Sequence, residues 1–326
     1  MKNQIKLHMP KKELLDTVRT LDKMYSKSES QQHNNIYLFS QQGHLTLAYL
    51  NQEIFCRRFA IPLPANYQLE VDKDDLLNLL RQIKDADLEL ATVFDSDLQL
   101  NCLQINGQQI FINDHFPDNF NQQLTFEPDL PYSIAGKSLN QVLTTAKKVM
   151  HASFIPETNL CYWQLAQQTL TITTFYGNHG QQIYRGQIAV GDNNSEHNFV
   201  LSAAVTKHLW ALTAKLKTQT LQLSLNDQEL LVSADQLNYL IPVTLGTNPV
   251  FQALNYYPDY QPHMDPQDLQ DLLQAFFNKK DRLTVQQNLS AHPQEYCLGH
   301  TDEVAILEIK HQPQEKFIWV QQKEDQ

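Results

Sequence analysis

The sequence has little cysteine and no long apolar run. Its four cysteines are scattered through 326 residues without paired spacing, which fits neither a disulfide framework nor a zinc site. We therefore expect buried free thiols. No apolar run is long enough to cross a bilayer, and the N-terminal residues lack the apolar core of a signal peptide. These absences predict a cytoplasmic protein with no membrane partner.

Catalytic motifs are missing as well. The segment PYSIAGKS ends at Lys137 and Ser138 before a helix, as a phosphate-binding loop does, but Pro131 stands where the first glycine is required. The twelve histidines show no metal-binding spacing, and no cysteine, histidine and carboxylate cluster stands out as a nucleophile. We predict a non-catalytic protein without cofactor or metal.

The sequence does contain a repeated unit of one strand, one helix and three strands. Residues 69–120 show this order and close with HFPDNF, and residues 199–260 repeat it and close with NYYPDY. A shorter copy occupies residues 263–288, and two further units begin near residues 4 and 132. Alternating apolar residues in the strands and apolar stripes on the helices predict α+β domains, each an antiparallel sheet layer covered by helices.

Polar and proline-containing linkers divide the five units into two pairs and a single last unit. We predict a first domain over residues 1–127, a second over residues 128–261 and a reduced third over residues 262–326. In the last unit the sequence predicts a helix followed by the strands DRLTVQQ, QEYCLGH and VAILEIKH, with a frayed charged end.

Charge is distributed unevenly along the chain. The net charge of -11 argues against a nucleic-acid partner, but the predicted helices hold thirteen basic residues against eight acidic ones. Basic residues lie opposite the apolar stripes of these helices or beside them: Lys12, Arg19, Lys23, Arg81, Lys148, Lys207 and Lys217. Such residues also favour solvated helix faces, so the pattern alone fits ordinary surface charge equally well.

The repeated units, basic helices and closing motifs together resemble the bacterial DNA sliding clamp, the β subunit of the replicative DNA polymerase III. Residues 69–120 are similar to the second half of that family's first domain, and residues 199–260 to the second half of its middle domain. The resemblance implies the DNA-clamp fold and a ring around double-stranded DNA that tethers a polymerase. The basic helix faces would then contact phosphates without reading bases, which favours DNA contact over ordinary surface charge.

The same resemblance implies an apolar groove for short peptides of DNA polymerases and clamp loaders. The matching positions are Leu160, Gly177, His179 and Pro258. Phe175 and Tyr176 replace the family's Thr-Asp pair, the loop that leads to Tyr184 is longer, and Gln261 and Pro262 replace a basic pair. We expect altered peptide specificity, and each matching residue also fits ordinary packing.

Members of that family have six units per chain, and two chains form the ring, whereas this chain has room for five. One hypothesis is a divergent clamp of a phage, plasmid or mobile element that forms a homodimer or another ring. The alternative is a clamp-fold regulator or decoy that binds polymerase or clamp-loader peptides without encircling DNA. If the tail KFIWVQQ folds over the edge of the last sheet, Phe317 and Trp319 would block pairing there.

Overall fold

The computed structural model of the protein describes residues 6–25, 34–64, 67–96, 99–113, 116, 120, 124, 131–150, 160–176, 182–191, 196–226, 228–245, 266–300, 304–312 and 315–322. Within these residues there are six α-helices and twenty β-strands, so the predicted α+β class is confirmed. The helices are α1 (Lys11–Met24), α2 (Lys73–Gln82), α3 (Gly136–Met150), α4 (Ala203–Thr213), α5 (Pro266–Phe276) and α6 (Lys279–Ala291).

The strands of the first half are β1 (Lys6–Pro10), β2 (Asn35–Gln41), β3 (His44–Leu50), β4 (Ile54–Pro62), β5 (Gln68–Asp72), β6 (Asp87–Asp95), β7 (Leu100–Ile105), β8 (Gln108–Phe111), β9 (Tyr132–Ala135) and β10 (Leu160–Ala166). The remaining strands are β11 (Thr169–Tyr176), β12 (Gln182–Ala189), β13 (His197–Ser202), β14 (Thr220–Leu225), β15 (Glu229–Ala234), β16 (Leu237–Pro242), β17 (Thr244–Leu245), β18 (Tyr296–His300), β19 (Val304–Gln312) and β20 (Glu315–Gln322).

The chain forms two compact units. The first contains residues 1–131 and 211–242, and the second contains residues 132–210 and 243–326. Each is held together by its own antiparallel sheets and buried apolar residues. The division into three domains stays a prediction.

In the first compact unit, two copies of the repeat exchange their first strands. β1 pairs with β6 of the second copy, with Leu7 opposite Leu90, and β5 pairs with β2 of the first copy, with Val71 opposite Ile36. One sheet therefore has the order β1-β6-β7-β8, and the other runs β5-β2-β3-β4-β16-β15-β14. The exchange makes the two copies parts of one body, which the repeated sequence alone did not predict.

In the second compact unit, one sheet runs β17-β13-β10-β11-β12-β20-β19-β18. Helix α3 lies against β11 and β12. Gly186 on β12 permits this close approach, because a Cβ atom there would lie 2.6 Å from Cγ1 of Val142 on α3. The backbone of β12 is thereby brought directly under the helix.

The last repeat differs from its prediction in one element. The segment DRLTVQQ was expected to be a strand, but it lies in α6, so this prediction was wrong. The side chain of Asn278 accepts hydrogen bonds from the backbone N–H groups of Lys280 and Asp281, each at 3.0 Å, and this cap starts a helix there. The run is too short for its residue pattern to decide between the two structures.

The tail KFIWVQQ is an interior strand and not a cover over the sheet edge. It forms most of β20, which lies between β12 and β19. Trp319 joins Leu272, Leu273 and Leu307 in a buried apolar cluster with α5. The tail therefore completes the sheet of the second compact unit.

Candidate nucleic-acid interface

Helix α1 presents a basic face to solvent. Lys12, Arg19 and Lys23 are exposed, while Val18 and Leu21 on the opposite side are fully buried. The three basic residues lie seven and four positions apart, so they share one side of the helix. Lys12 and Arg19 form no ion pair with any residue that the structure describes. Their charges are therefore available to an anionic partner.

Arg81 on α2 is exposed, but an acidic residue lies near it. Its Nη2 atom is 3.9 Å from Oδ2 of Asp22 on α1, and the Nζ atom of Lys73 is 3.4 Å from the other oxygen of the same carboxylate. Lys73 is buried, so this carboxylate also neutralises an interior charge. We expect Arg81 to contribute less to phosphate binding than Lys12 or Arg19.

Helices α3 and α4 are joined through Trp210. Its indole N–H donates to Oγ1 of Thr144 at 3.0 Å, and its backbone carbonyl accepts from Nδ2 of Asn140 at 3.0 Å. The ammonium of Lys147 lies 3.3 Å from the centroid of the Trp210 ring, a cation–π contact. The sequence analysis missed Lys147, because only the three-dimensional structure brings it to the tryptophan.

The other predicted basic residues are also exposed. Lys148 is next to Lys147 near the end of α3, Lys207 is in the first turns of α4, and Lys217 is in the turn that follows α4. Lys148 and Lys207 thus lie on α3 and α4, which are linked through Trp210. Lys12, Arg19 and Lys23 lie on α1 and Arg81 lies on α2, and these two helices contact each other.

The predicted peptide groove is only partly described. Gly177, His179 and Pro258 lie outside the described residues. Leu160 begins β10 and is half-buried. Strand register places it on the same sheet face as Arg185, because Thr173 is opposite both Tyr162 and Arg185.

Arg185, which the sequence analysis missed, lies where β12 meets β20. Burial lowers the pKa of its guanidinium, and the nearby Glu308 carboxylate acts in the opposite direction. Glu308 also pairs with Lys316, at 2.9 Å between Oε2 and Nζ. Within the described part of the chain, Nε of Arg185 has no hydrogen-bond partner. This strand junction therefore carries a partly satisfied positive charge on the sheet face that also carries Leu160, two strands away on β10.

The first closing motif packs on a sheet of the first compact unit. Phe116 and Phe120 pack edge to face, 4.6 Å apart, and lie over Tyr37 and Phe39 on β2. A cavity of about 160 Å³ opens nearby, where β4 meets β16. Its walls are Gln41, Ile54, Cys56, Leu124, Leu231, Asn238 and Leu240. Such a volume admits an apolar side chain but not a typical cofactor.

No feature of the described residues indicates catalysis. They contain no group of three or more histidine, cysteine, aspartate or glutamate residues that could hold a metal. Burial raises the pKa of the Cys56 and Cys161 thiols to about 12, which keeps them protonated and poorly nucleophilic. Cys102 and Cys161 are buried free thiols, as expected. In the same stretches, no helix has the length and apolar character needed to cross a membrane.

The fold agrees closely with known structures although the sequence does not. No protein-family model matches the chain, and no curated protein matches it. The β subunit of DNA polymerase III from Pseudomonas aeruginosa superposes with a TM-score of 0.70 at 10% identity, over 98% of this chain and 100% of that one. The β subunit from Thermotoga maritima gives 0.62 at 14% identity, over 99% of this chain and 85% of that one.

A third similar structure is the Helicobacter pylori β clamp bound to a DNA ligase peptide, with a TM-score of 0.61 at 13% identity, over 98% of this chain and 84% of that one. The chain therefore has the DNA-clamp fold, as the sequence predicted. It is a divergent clamp-fold protein whose structural neighbours are bacterial DNA polymerase III β subunits.

Proposed function

We propose that the protein is a DNA sliding clamp, a processivity factor that encircles duplex DNA and tethers a polymerase through short peptides. The observation that carries the proposal is the exposure of basic residues on the helices of a chain with the clamp fold. The helices hold a basic excess while the chain as a whole has a net charge of -11. The rest of the chain is acidic and repels DNA, so DNA contact is favoured at the helices.

The contacts that this function needs are weak and independent of base sequence. Lysine and arginine side chains on helix faces can approach phosphates without entering a groove, so they position the duplex without reading it. Lys12, Arg19 and Lys148 have this placement. Because the contacts are ionic and exposed, they exchange rapidly and let the protein move along DNA.

Peptide binding is proposed at the junction of β12 and β20. Leu160 offers an apolar contact, and Arg185 offers a cation whose Nε has no partner among the described residues. The Helicobacter pylori neighbour is a clamp bound to a DNA ligase peptide, which supports a peptide partner for this chain. Polymerases and clamp loaders are the partners we propose. A peptide with one acidic and one apolar residue, spaced to span two strands, suits Arg185 and Leu160.

Primer extension by the polymerase of the same host tests the function. With the host clamp loader present, the wild-type protein should lengthen the products made in a single binding event. The variants Lys148→Glu and Lys207→Glu should shorten them, because each replaces a phosphate attraction with a repulsion. Lys84→Glu is the matched control, since Lys84 is exposed and lies outside the helices. No increase with any polymerase of the host would contradict the proposal.

A second candidate function follows from the number of strand runs. The described residues contain five runs of three consecutive antiparallel strands, and only four of them join other runs at their last strands. A chain without a sixth run lacks the edge that would close a ring by the same type of joint. This favours the alternative of a regulator or decoy that binds peptides without encircling DNA.

Retention on DNA of different topology distinguishes the two functions. An encircling protein should stay on nicked circular DNA at high salt after loading and should slide off the same DNA once it is linearised. A peptide-binding regulator should be retained on neither form. It should instead inhibit extension by the host's own clamp, and Arg185→Ala should relieve that inhibition.

A further inference from the structure

The cavity where β4 meets β16 belongs wholly to the first compact unit, since all seven residues of its wall are in that unit. The two strands pair antiparallel there, with Cys56 opposite Asn238 and Ile54 opposite Leu240. Strand alternation places these four side chains on one face of the sheet. The proposed DNA and peptide contacts do not use this cavity.

One wall of the cavity is held in place by a packed apolar cluster. Two of its residues, Cys56 and Leu124, pack against buried side chains of the same sheet face, namely Phe39, Ala48 and Phe120. Close packing of this kind leaves the wall little freedom to move. A wall that is formed in advance lowers the entropic cost of binding a ligand.

The cavity has the size and lining for one apolar side chain. Its volume is about 160 Å³, and an apolar protein cavity of about 150 Å³ takes up benzene, so a phenyl group fits. Ile54, Leu231 and Leu240 supply apolar surface, while Gln41 and Asn238 carry amides that can bond to a peptide backbone. Pockets for separate small molecules are usually larger, about 300 Å³ or more. Size and lining therefore favour a side chain that belongs to a longer chain.

A cation lies at one end of the cavity. Arg58 follows Cys56 by two residues on β4, so the two side chains share a face of the sheet. The Nη1 atom of Arg58 donates to Oε1 of Gln42 at 2.8 Å, and Gln42 is next to the wall residue Gln41. Arg58 forms no ion pair with any residue that the structure describes. Its guanidinium is therefore held on this face and is available to a carboxylate.

An acidic residue lies at the other end of the cavity. Glu229 precedes Leu231 by two residues on β15, and Leu231 is opposite Leu240. Strand register therefore puts Glu229 at the Leu240 end, whereas Arg58 is at the end that Asn238 marks. A ligand with a carboxylate near Arg58 is attracted there and avoids repulsion by Glu229. The two charges thus favour one orientation of an acidic ligand.

We propose that this cavity binds a short extended peptide of a partner protein. One apolar side chain of the peptide enters the cavity, and an acidic residue two positions away pairs with Arg58. Side chains two positions apart on an extended chain point the same way and are about 7 Å apart, as Cys56 and Arg58 are on β4. The proposed contacts of Leu160 and Arg185 belong to the second compact unit. Either site can therefore fail its test without affecting the other.

Methyl NMR on the full chain tests the proposal with a defined probe, the acetylated and amidated peptide Ser-Phe-Ser-Asp-Ser. Titration with this peptide should shift the methyl signals of Ile54, Leu231 and Leu240. The same peptide with Lys in place of Asp should bind about fivefold more weakly, because the ion pair is lost. With Ser in place of Phe it should cause no shift. Absence of shifts at these methyls, or shifts only elsewhere in the chain, overturns the proposal.

Two neighbouring arginines provide a matched pair of variants. Arg58→Gln should abolish the preference for the Asp peptide over the Lys peptide, and Arg58→Glu should reverse it. Arg57→Gln should keep the preference, since Arg57 lies on the opposite face, 5.7 Å from the centroid of the Phe59 ring. A preference that Arg58→Gln leaves unchanged overturns the proposal. Leu231→Trp, which fills the cavity from a half-buried position, should abolish binding of every peptide, and unchanged binding also overturns it.

Two other occupants of the cavity would give different results in the same spectra. A second copy of the chain would shift these methyl signals when the protein concentration is raised without peptide. A small apolar solute would bind on its own, so toluene would shift the signals as strongly as the peptide at equal concentration. Either result overturns the proposal.

Discussion

The buried carboxylate of Glu53 is held by two tyrosines. The hydroxyl of Tyr25 donates to its Oε2 at 2.9 Å, and Tyr239 donates to the same oxygen. Tyr25 also stacks on Tyr49, with ring centroids 4.5 Å apart. In both bonds the donor to the carboxylate is a neutral hydroxyl and not a cation. The two tyrosines are far from each other in the sequence but belong to one compact unit.

We predict that this cluster makes the protein sensitive to alkali. Burial raises the pKa of Tyr25 and of Tyr239 well above the ordinary tyrosine value, and the Glu53 carboxylate raises both further. The unfolded chain therefore loses these protons first, near the usual pKa of about 10. The contribution of the two tyrosines to stability should be constant below that pH and should fall above it, as urea denaturation at a series of pH values from neutral to alkaline will measure.

Tyr239→Phe is the matched variant for that experiment. It should lower the free energy of unfolding at neutral pH by about 2 kcal/mol, because one hydrogen bond to a buried carboxylate is lost. Its loss of stability above pH 10 should be shallower than that of the wild type, since one tyrosine no longer ionises. Equal alkaline slopes for the two proteins would contradict the prediction.

Sequence reasoning predicted residue exposure better than residue contact. Six of the seven basic residues are exposed because helical periodicity determines which side of a helix meets solvent, whereas Lys217, predicted on a helix, lies in the turn after α4. The contact between Glu53 and Tyr239 joins residues 186 positions apart, and nothing in the local pattern of either residue indicates it. Arg185 and Lys147 were missed for the same reason.

At the scale of secondary structure, the packing of α3 on β12 depends on the absence of one side chain. A Cβ atom at Gly186 would lie 2.6 Å from Cγ1 of Val142 and 2.7 Å from the hydroxyl of Tyr184. Tyr184 itself donates to the carbonyl of Val142 at 3.4 Å. The helix and the strand are therefore too close to admit even an alanine without movement.

We predict that Gly186→Ala destabilises the protein by about 1–3 kcal/mol, because overpacking forces α3 away from the sheet. Thermal or urea unfolding followed by circular dichroism measures the change. The double variant Gly186→Ala with Val142→Ala should recover part of the loss, since the shortened side chain vacates the space. If the double variant loses more unfolding free energy than the two single variants lose in total, the steric explanation is wrong.

Element type was predictable where the chain repeats and harder where it does not. The order of strand, helix and three strands was predicted from period and turn residues, and it is observed in both copies of the first compact unit. DRLTVQQ was assigned to a strand because it follows the predicted helix in the order of the repeat, whereas the cap at Asn278 starts the observed helix. The exchange of β1 and β5 depends on pairing between copies, which neither copy encodes alone.

At the scale of the whole molecule, the helices differ in charge from the rest of the chain. The net charge of -11 coexists with exposed basic residues on four helices or adjacent to them. The fold itself was predictable from repetition, although identity to the structural neighbours is only 10–14%. The groove stays a prediction, because three of its four predicted residues lie outside the described part of the chain.

We predict that duplex DNA binding depends steeply on salt and not on base sequence. The logarithm of affinity should fall linearly with the logarithm of salt concentration, with equal slopes for unrelated duplexes. Replacing Lys148 or Arg19 by Ala should reduce that slope by about 1 if each neutralises one phosphate. Fluorescence anisotropy on two duplexes of different sequence measures both quantities. A slope that Lys84→Ala reduces equally would place the DNA elsewhere on the surface.

The exchange of first strands also constrains how the chain is made. β1 is synthesised long before its partner β6, which begins only at Asp87. In the same way, β2 is synthesised before its partner β5, which begins at Gln68. A nascent chain that ends before α2 therefore holds one strand with no sheet to join. The sheets of the amino-terminal copy are therefore complete only after the second copy has been synthesised.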